Sequence, residues 1–169
     1  MYLSPTAVVQ KLLRLEGEEN IHIGEQVIIQ KLSWLAARPL TGKVRARLII
    51  GDGSIIGHFN HIYATSEIMI GNNVLTADKV YIADNKHAYD DVDVPISKQK
   101  IVQLDTVKIG DGAWIGENVC ILGASVGRNC VIGANSVVTK SIPDYCVAVG
   151  APAKVIKKYN FERKIWERV

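Results

Sequence analysis

The chain has 169 residues, 48% of them hydrophobic and 22% charged, with a net charge of +3, a composition that suits one folded domain with a sizeable core. No apolar run approaches the roughly 20 residues of a membrane-spanning helix, and Met1 to Lys11 lack the charged head and long apolar stretch of a secretory signal, so the protein is expected in the cytoplasm. Its positive charge is concentrated in Lys43 to Arg47 and Lys140 to Lys158, without interleaved aromatics, which argues against nucleic acid and for an anionic small molecule as partner.

In chain order, residues 1–19 are expected to form a helical or irregular lead-in, with Val8, Leu12, Leu13 and Leu15 available to cover the open end of the repeats. A first, irregular coil runs from Ile21 to Arg38, and the turn from Pro39 to Gly42 leads into regular repeats at Leu48. There an aliphatic residue followed by Gly recurs on a six-residue grid: Ile50-Gly51, Ile56-Gly57, Ile70-Gly71, Ile109-Gly110, Ile115-Gly116, Val126-Gly127 and Ile132-Gly133. Where the glycine is missing, Ile62, Ile68, Ile82, Ile121 and Val138 keep the aliphatic position. Such a period predicts a chain that turns a corner at every repeat, with one short strand per hexapeptide, its aliphatic side chain pointing inward, and three strands per triangular coil of about 18 residues. Glycine is expected where the backbone bends and a Cβ would clash. The prediction is an all-β parallel β-helix over residues 20–141.

The grid breaks from Asp84 to Asp105 and resumes at Val107. Residues 84–106 therefore form an excursion loop, and a loop of this length inside a compact repeat is usually functional. A smaller slip falls at Gly123 to Ser125, and the repeats end at Ser-Ile-Pro143. Residues 142–169 are expected as a packed C-terminal extension or short helix carrying Phe161 and Trp166. Cys120, Cys130 and Cys146 are odd in number, lack metal-type spacing and sit in apolar contexts, so they read as buried, reduced thiols.

Three stretches carry a family resemblance: Ile132 to Lys140 followed by Ile142-Pro-Asp-Tyr and Val149 to Ile156; Ile109 to Gly116; and Asp84-Asn-Lys-His-Ala-Tyr-Asp90 followed by Pro95-Ile96. Together they resemble the hexapeptide-repeat acetyltransferases, a group that includes galactoside, maltose and xenobiotic acetyltransferases, and most nearly the branch that O-acetylates sugars of surface polysaccharides. The resemblance implies a left-handed β-helix, a homotrimer with active sites between subunits, acetyl-CoA as donor, a sugar as acceptor and no metal.

On that resemblance His87, at the start of the excursion loop, matches the family's catalytic base; a hydroxyl acceptor needs a base of near-neutral pKa within hydrogen-bond reach. A backbone carbonyl or one of Asp84, Asp90 and Asp91 is expected to hold its other ring nitrogen. Asp84 and Tyr89, which flank it, together with Asn60 and His61 one coil below, are the expected acceptor contacts. Trp114 is too large for the prism interior, and the resemblance places it beside the thioester. Gly116 and Ala134 are small corner residues that would let a pantetheine chain run close to the backbone. Lys140, Lys154 and Lys157, with Thr139 beside the first, would meet the phosphates of CoA as point charges.

The implied chemistry is direct transfer in a ternary complex, since no cysteine is expected near His87 to carry an acetyl group. An N-acetyltransferase of an amino sugar or a xenobiotic acetyltransferase is the alternative enzyme. A non-catalytic hexapeptide assembly protein is the alternative class. A zinc hydratase of the same fold needs three imidazoles per site, and His58, His61 and His87 lack the spacing.

Overall fold

The structure is a computed structural model that describes all residues 1–169. It is a triangular prism of parallel strands with no α-helix. The first face carries Tyr2–Leu3, Ile21–Ile23, Arg47–Ile50, Glu67–Ile70 and Val107–Ile109, continued by single bridges at Val126 and Ile142. On the second lie Val8–Val9, Ile28–Ile29, Ile55–Ile56, Leu75–Thr76, Trp114–Ile115, Val131–Ile132 and Cys146–Val149. The third has six strands, Arg14–Glu16, Trp34–Ala37, His61–Ala64, Tyr81–Ala83, Cys120–Leu122 and Val137–Val138, one for each complete turn of the chain.

Neighbouring coils pair in register, so like residues stack: Leu35 on Ile62 on Ile82 on Ile121 on Val138 runs up the inside of the third face, and all five are fully buried. Such columns merge into one apolar core of 31 residues spanning the prism. The inward positions read from the six-residue grid are the ones the structure buries.

The corner glycines sit where a Cβ would clash, as expected, but the clash is with the neighbouring coil and the bend lies elsewhere. Gly57 and Gly116 occupy one corner, with Ala77 at the level between them, and a Cβ on Gly116 would lie 2.6 Å from the Ala134 nitrogen, one on Gly57 2.4 Å from the Ala77 carbonyl oxygen. Close stacking of coil on coil is what excludes a side chain there. The bending falls to left-handed residues a step further on, such as Asn73, Asn118, Asn129 and Asn135 with φ of 49–59°, a conformation that asparagine tolerates well.

Both ends differ from the sequence expectation. Residues 1–19 are no irregular or helical lead-in: Tyr2–Leu3, Val8–Val9 and Arg14–Glu16 form a complete coil that pairs with the next on all three faces. The coil from Ile21 to Ala37 is regular as well. At the far end, Lys154–Asn160 and Ile165–Arg168 make an antiparallel hairpin that extends the second face beyond Cys146–Val149. Tyr159 anchors it by edge contacts to Phe161 and Trp166.

Insertions concentrate at the corner between the third and first faces. Residues 38–46 and 84–106 both leave there, two coils apart. The longer excursion is itself a hairpin, in which Asn85–His87 pairs antiparallel with Ile101–Gln103.

Candidate active site

The excursion hairpin stands beside a column of aromatic rings on the outside of the third face. Arg14, Trp34, His61, Tyr81 and Cys120 occupy one register position on successive coils. His61 lies parallel to Trp34, with ring centres 4.1 Å apart, and tilts against Tyr81 at 5.0 Å. The Arg14 guanidinium covers the far side of Trp34 at 4.9 Å. Between this column and the hairpin is a pocket of about 250 Å³, lined by Trp34, His61, Tyr63, Tyr81, Asn85, Lys86, His87 and Ile101.

His87 is exposed at the mouth of the pocket, opposite Ile101 in the hairpin. His61 forms the wall. Burial lowers the His61 pKa below the ordinary histidine value, with the Glu16 carboxylate pulling weakly the other way. Burial therefore favours its neutral form, and its Nε2 has no partner in the chain.

Two expected acceptor contacts are placed elsewhere. Asp84 is fully buried. Its carboxylate accepts the N–H groups of Thr65, Ser66 and Glu67 at 2.7–2.8 Å, the Thr65 hydroxyl at 2.9 Å and the Asn85 amide at 3.3 Å. Fastening the corner below the excursion uses up its oxygens, so it neither reaches an acceptor nor orients His87. Asn60 is likewise buried, 1% exposed, and donates to the carbonyls of His58 and Ala77 across adjacent coils. A corner tie, with no open surface, is its place in the fold. Asp91 accepts the Asp93 N–H, and no intrachain hydrogen bond holds the His87 ring.

Asp84→Ala would leave three backbone donors without their acceptor, that of Thr65 buried and those of Ser66 and Glu67 partly buried, at about 1–3 kcal/mol for a fully buried one and less for the others, without full additivity. The expected loss is about 3 kcal/mol in urea unfolding; an unchanged midpoint would contradict the latch.

Tyr89 is exposed on the excursion, with the Lys86 ammonium 4.7 Å from its ring centre, and does not line the pocket. On its other side Lys86 reaches a second groove, about 570 Å³, shared with Gln103, Leu104, Asp105, Leu122, Gly123 and Thr139. Lys140 is exposed one residue on from Thr139.

The remaining expected donor contacts are not beside His87 in this chain. Trp114 is half exposed on the outside of the second face, between Leu75 and Val131. Gly116 and Ala134 stack at the corner joining the second and third faces. Lys154 and Lys157 stand on the C-terminal hairpin, where Lys157 extends the register position of Trp114, Val131 and Val147. The thiols are free, Cys130 and Cys146 fully buried and Cys120 partly so, and burial raises all three pKa values, which keeps them protonated and poor nucleophiles.

A family model described as the hexapeptide repeat of succinyl-transferase matches residues 106–140. A putative lipopolysaccharide biosynthesis O-acetyl transferase of Escherichia coli, WbbJ, is 39% identical over 131 residues, covering 73% of this chain and 67% of that protein. A galactoside O-acetyltransferase of Lactococcus lactis is 38% identical over 159 residues, covering 92% and 72%. The chain belongs to the hexapeptide-repeat acetyltransferases. The probable acetyltransferase Rv3034c of Mycobacterium tuberculosis is 41% identical over 93% of this chain, which spans only 47% of its length. Among solved structures, AntD of Bacillus cereus, an N-acyltransferase in complex with dTDP and 3-hydroxybutyryl-CoA, superposes with a TM-score of 0.71 at 19% identity, over 93% of this chain and 85% of that one. That likeness is one of fold, and the fold is the left-handed parallel β-helix.

Within this hexapeptide-repeat acetyltransferase, sequence reasoning missed Trp34, Tyr63, Tyr81 and Lys86 as pocket residues. Extending the grid back through residues 21–37 would have found the first three, because it sets Trp34, His61 and Tyr81 on one outward column, with Tyr63 two residues beyond His61 on the same strand. Lys86 carried no signal beyond its place next to His87.

Proposed function

We propose that this protein transfers the acetyl group of acetyl-CoA to a hydroxyl of a sugar, in the biosynthesis of a surface polysaccharide. The observation that carries the proposal is the placement of His87 at the mouth of the aromatic pocket, and the similarity to proteins named galactoside and lipopolysaccharide O-acetyltransferases supports it. In this reading the acceptor hydroxyl approaches His87, whose imidazole takes the proton as oxygen attacks the thioester carbonyl. A backbone N–H at a coil corner receives the negative charge of the tetrahedral intermediate. Collapse forms the ester and expels the CoA thiolate, which recovers the proton from the imidazolium. His61, held neutral by burial, contacts the acceptor without adding a second cation.

The separation of Trp114, Gly116 and Ala134 from His87 around the prism is the reason to propose a homotrimer. One chain's His87 hairpin would face the second and third faces of its neighbour, completing a site that a single chain leaves divided. The donor would lie along that seam, with the lysines at its phosphates. Supply of acetyl-CoA suits a cytoplasmic enzyme, and no helix is long and apolar enough to cross a membrane.

The donor half is tested through the lysines. Lys154→Ala and Lys157→Ala are expected to raise KM for acetyl-CoA more than for the acceptor, most clearly at low salt, since ions screen a phosphate contact. Equal effects on acetyl-CoA and on a donor lacking the 3′-phosphate would remove these residues from the phosphate site.

A further inference from the structure

The corner that carries the His87 hairpin carries a second long connection, residues 38–46, two coils nearer the N-terminus. This segment and its exit hold Arg38, Lys43, Arg45 and Arg47. Arg38 is paired with Glu16 at 3.1 Å, and Arg47 with Glu67. Lys43 and Arg45 are exposed and pair with no carboxylate.

The connection is fastened to the catalytic hairpin. The Thr41 hydroxyl donates to the Gln103 Oε1 at 2.5 Å, while the Gln103 Nε2 donates to the carbonyls of Asp84 and Leu104 at 2.6 and 3.0 Å. Gln103 lies opposite Asn85, two residues along the strand from His87. Arg45 also borders two clefts of about 420 and 370 Å³ on the first face. Each cleft contains one carboxylate: Glu67 is occupied by Arg47, and Glu19 accepts from the Asn20 amide at 3.3 Å.

We propose that Lys43 and Arg45 form a subsite for a diphosphate attached to the acceptor, so that the sugar arrives on a diphosphate carrier rather than free. The inference rests on the sugar-acetylation reading. Lys43 and Arg45 flank a bend at Val44, and residues i and i+2 are at most about 7 Å apart along the chain, a span that two adjacent phosphates and their oxygens bridge. Arginine binds such oxygens through paired N–H groups and lysine as a point charge. Neither cation has to break an existing ion pair to do so. Fixing the segment to Gln103 holds the cations at the root of the strand that presents the base, which suits a substrate whose charged carrier is anchored while its sugar reaches the pocket.

A nucleoside diphosphate and a polyprenyl diphosphate share this chemistry. The test uses the full chain saturated with CoA, so that the donor's own phosphate contacts are filled. Binding of UDP, GDP, dTDP and a polyprenyl-diphosphate sugar in detergent is measured by calorimetry for wild type and Lys43→Gln/Arg45→Gln, and turnover is measured with linked and free sugars. One carrier class is expected to bind, and the double variant to weaken it about tenfold or more, with CoA affinity and the melting temperature unchanged. KM for the linked acceptor should rise by a similar factor while kcat and KM for a free sugar stay the same. Binding of nucleotides alone assigns a soluble carrier, and binding of the polyprenyl form alone a lipid carrier. No binding of either class, or binding indifferent to the double variant, overturns the subsite even if free sugars are acetylated. Loss of all sugar acetylation with diphosphate binding intact would instead fault the sugar-acetylation reading.

Discussion

His87→Ala is expected to lower kcat about 10²-fold or more, the usual range for loss of a general base. The fold gives no reason for collateral damage: His87 is exposed, its ring makes no hydrogen bond within the chain, and the hairpin is held by the backbone pairing of Asn85–His87 with Ile101–Gln103. CoA affinity and assembly should therefore remain close to wild type, in contrast to Asp84→Ala, which attacks the latch beneath. Activity of the wild type should fall on the acidic side as the base takes a proton, and this limb should vanish from the variant's residual activity. A limb belonging to His61, whose pKa burial lowers, would instead persist in His87→Ala. A variant retaining more than about a third of wild-type kcat would remove His87 from the role of base.

Ile121→Asp should produce the largest loss of stability. Ile121 is fully buried and lies in register between Ile82 below and Val138 above. A carboxylate there would be ionised without a partner or forced to take up a proton, and either state costs several kcal/mol. Because each coil stacks on the next, the damage should spread to both neighbours. Ile121→Val keeps the column and should cost only about 1 kcal/mol. Failure of the aspartate protein to fold, or a large drop in its unfolding midpoint, agrees with an inward position; soluble protein with wild-type melting contradicts it.

The regular coils could be read from the sequence because inward aliphatic residues repeat wherever three short strands close a triangle. The first coil could not be read this way, since Tyr2–Leu3, Val8–Val9 and Arg14–Glu16 lack the glycine punctuation and take their strand form from the neighbouring coil. The C-terminal hairpin was hidden by its lysines, although Val155 and Tyr159 alternate with exposed positions as a half-buried strand should. At the site, His87 stood out because a histidine opening a polar excursion has little structural reason to be there. Asp84 and Asn60 misled for the opposite reason. A carboxylate and an amide near a catalytic histidine suggest substrate contacts, but a prism corner also needs acceptors and donors for backbone groups that change face, and burial alone distinguishes the two uses. The aromatic column depends on pairing between coils, which becomes visible only when residues 27 and 20 apart, from Trp34 to His61 and from His61 to Tyr81, are set side by side.

The most direct measurement is the linkage of the transferred group. Protein, acetyl-labelled acetyl-CoA and a panel of sugars are incubated, and labelled product is treated with alkaline hydroxylamine, which cleaves an acetyl ester and spares an amide. The account predicts label on a sugar, released by hydroxylamine, formed by the wild type and nearly absent with His87→Ala. Label that resists hydroxylamine on an amino sugar, or acetyl-CoA left unconsumed with every sugar, would contradict it.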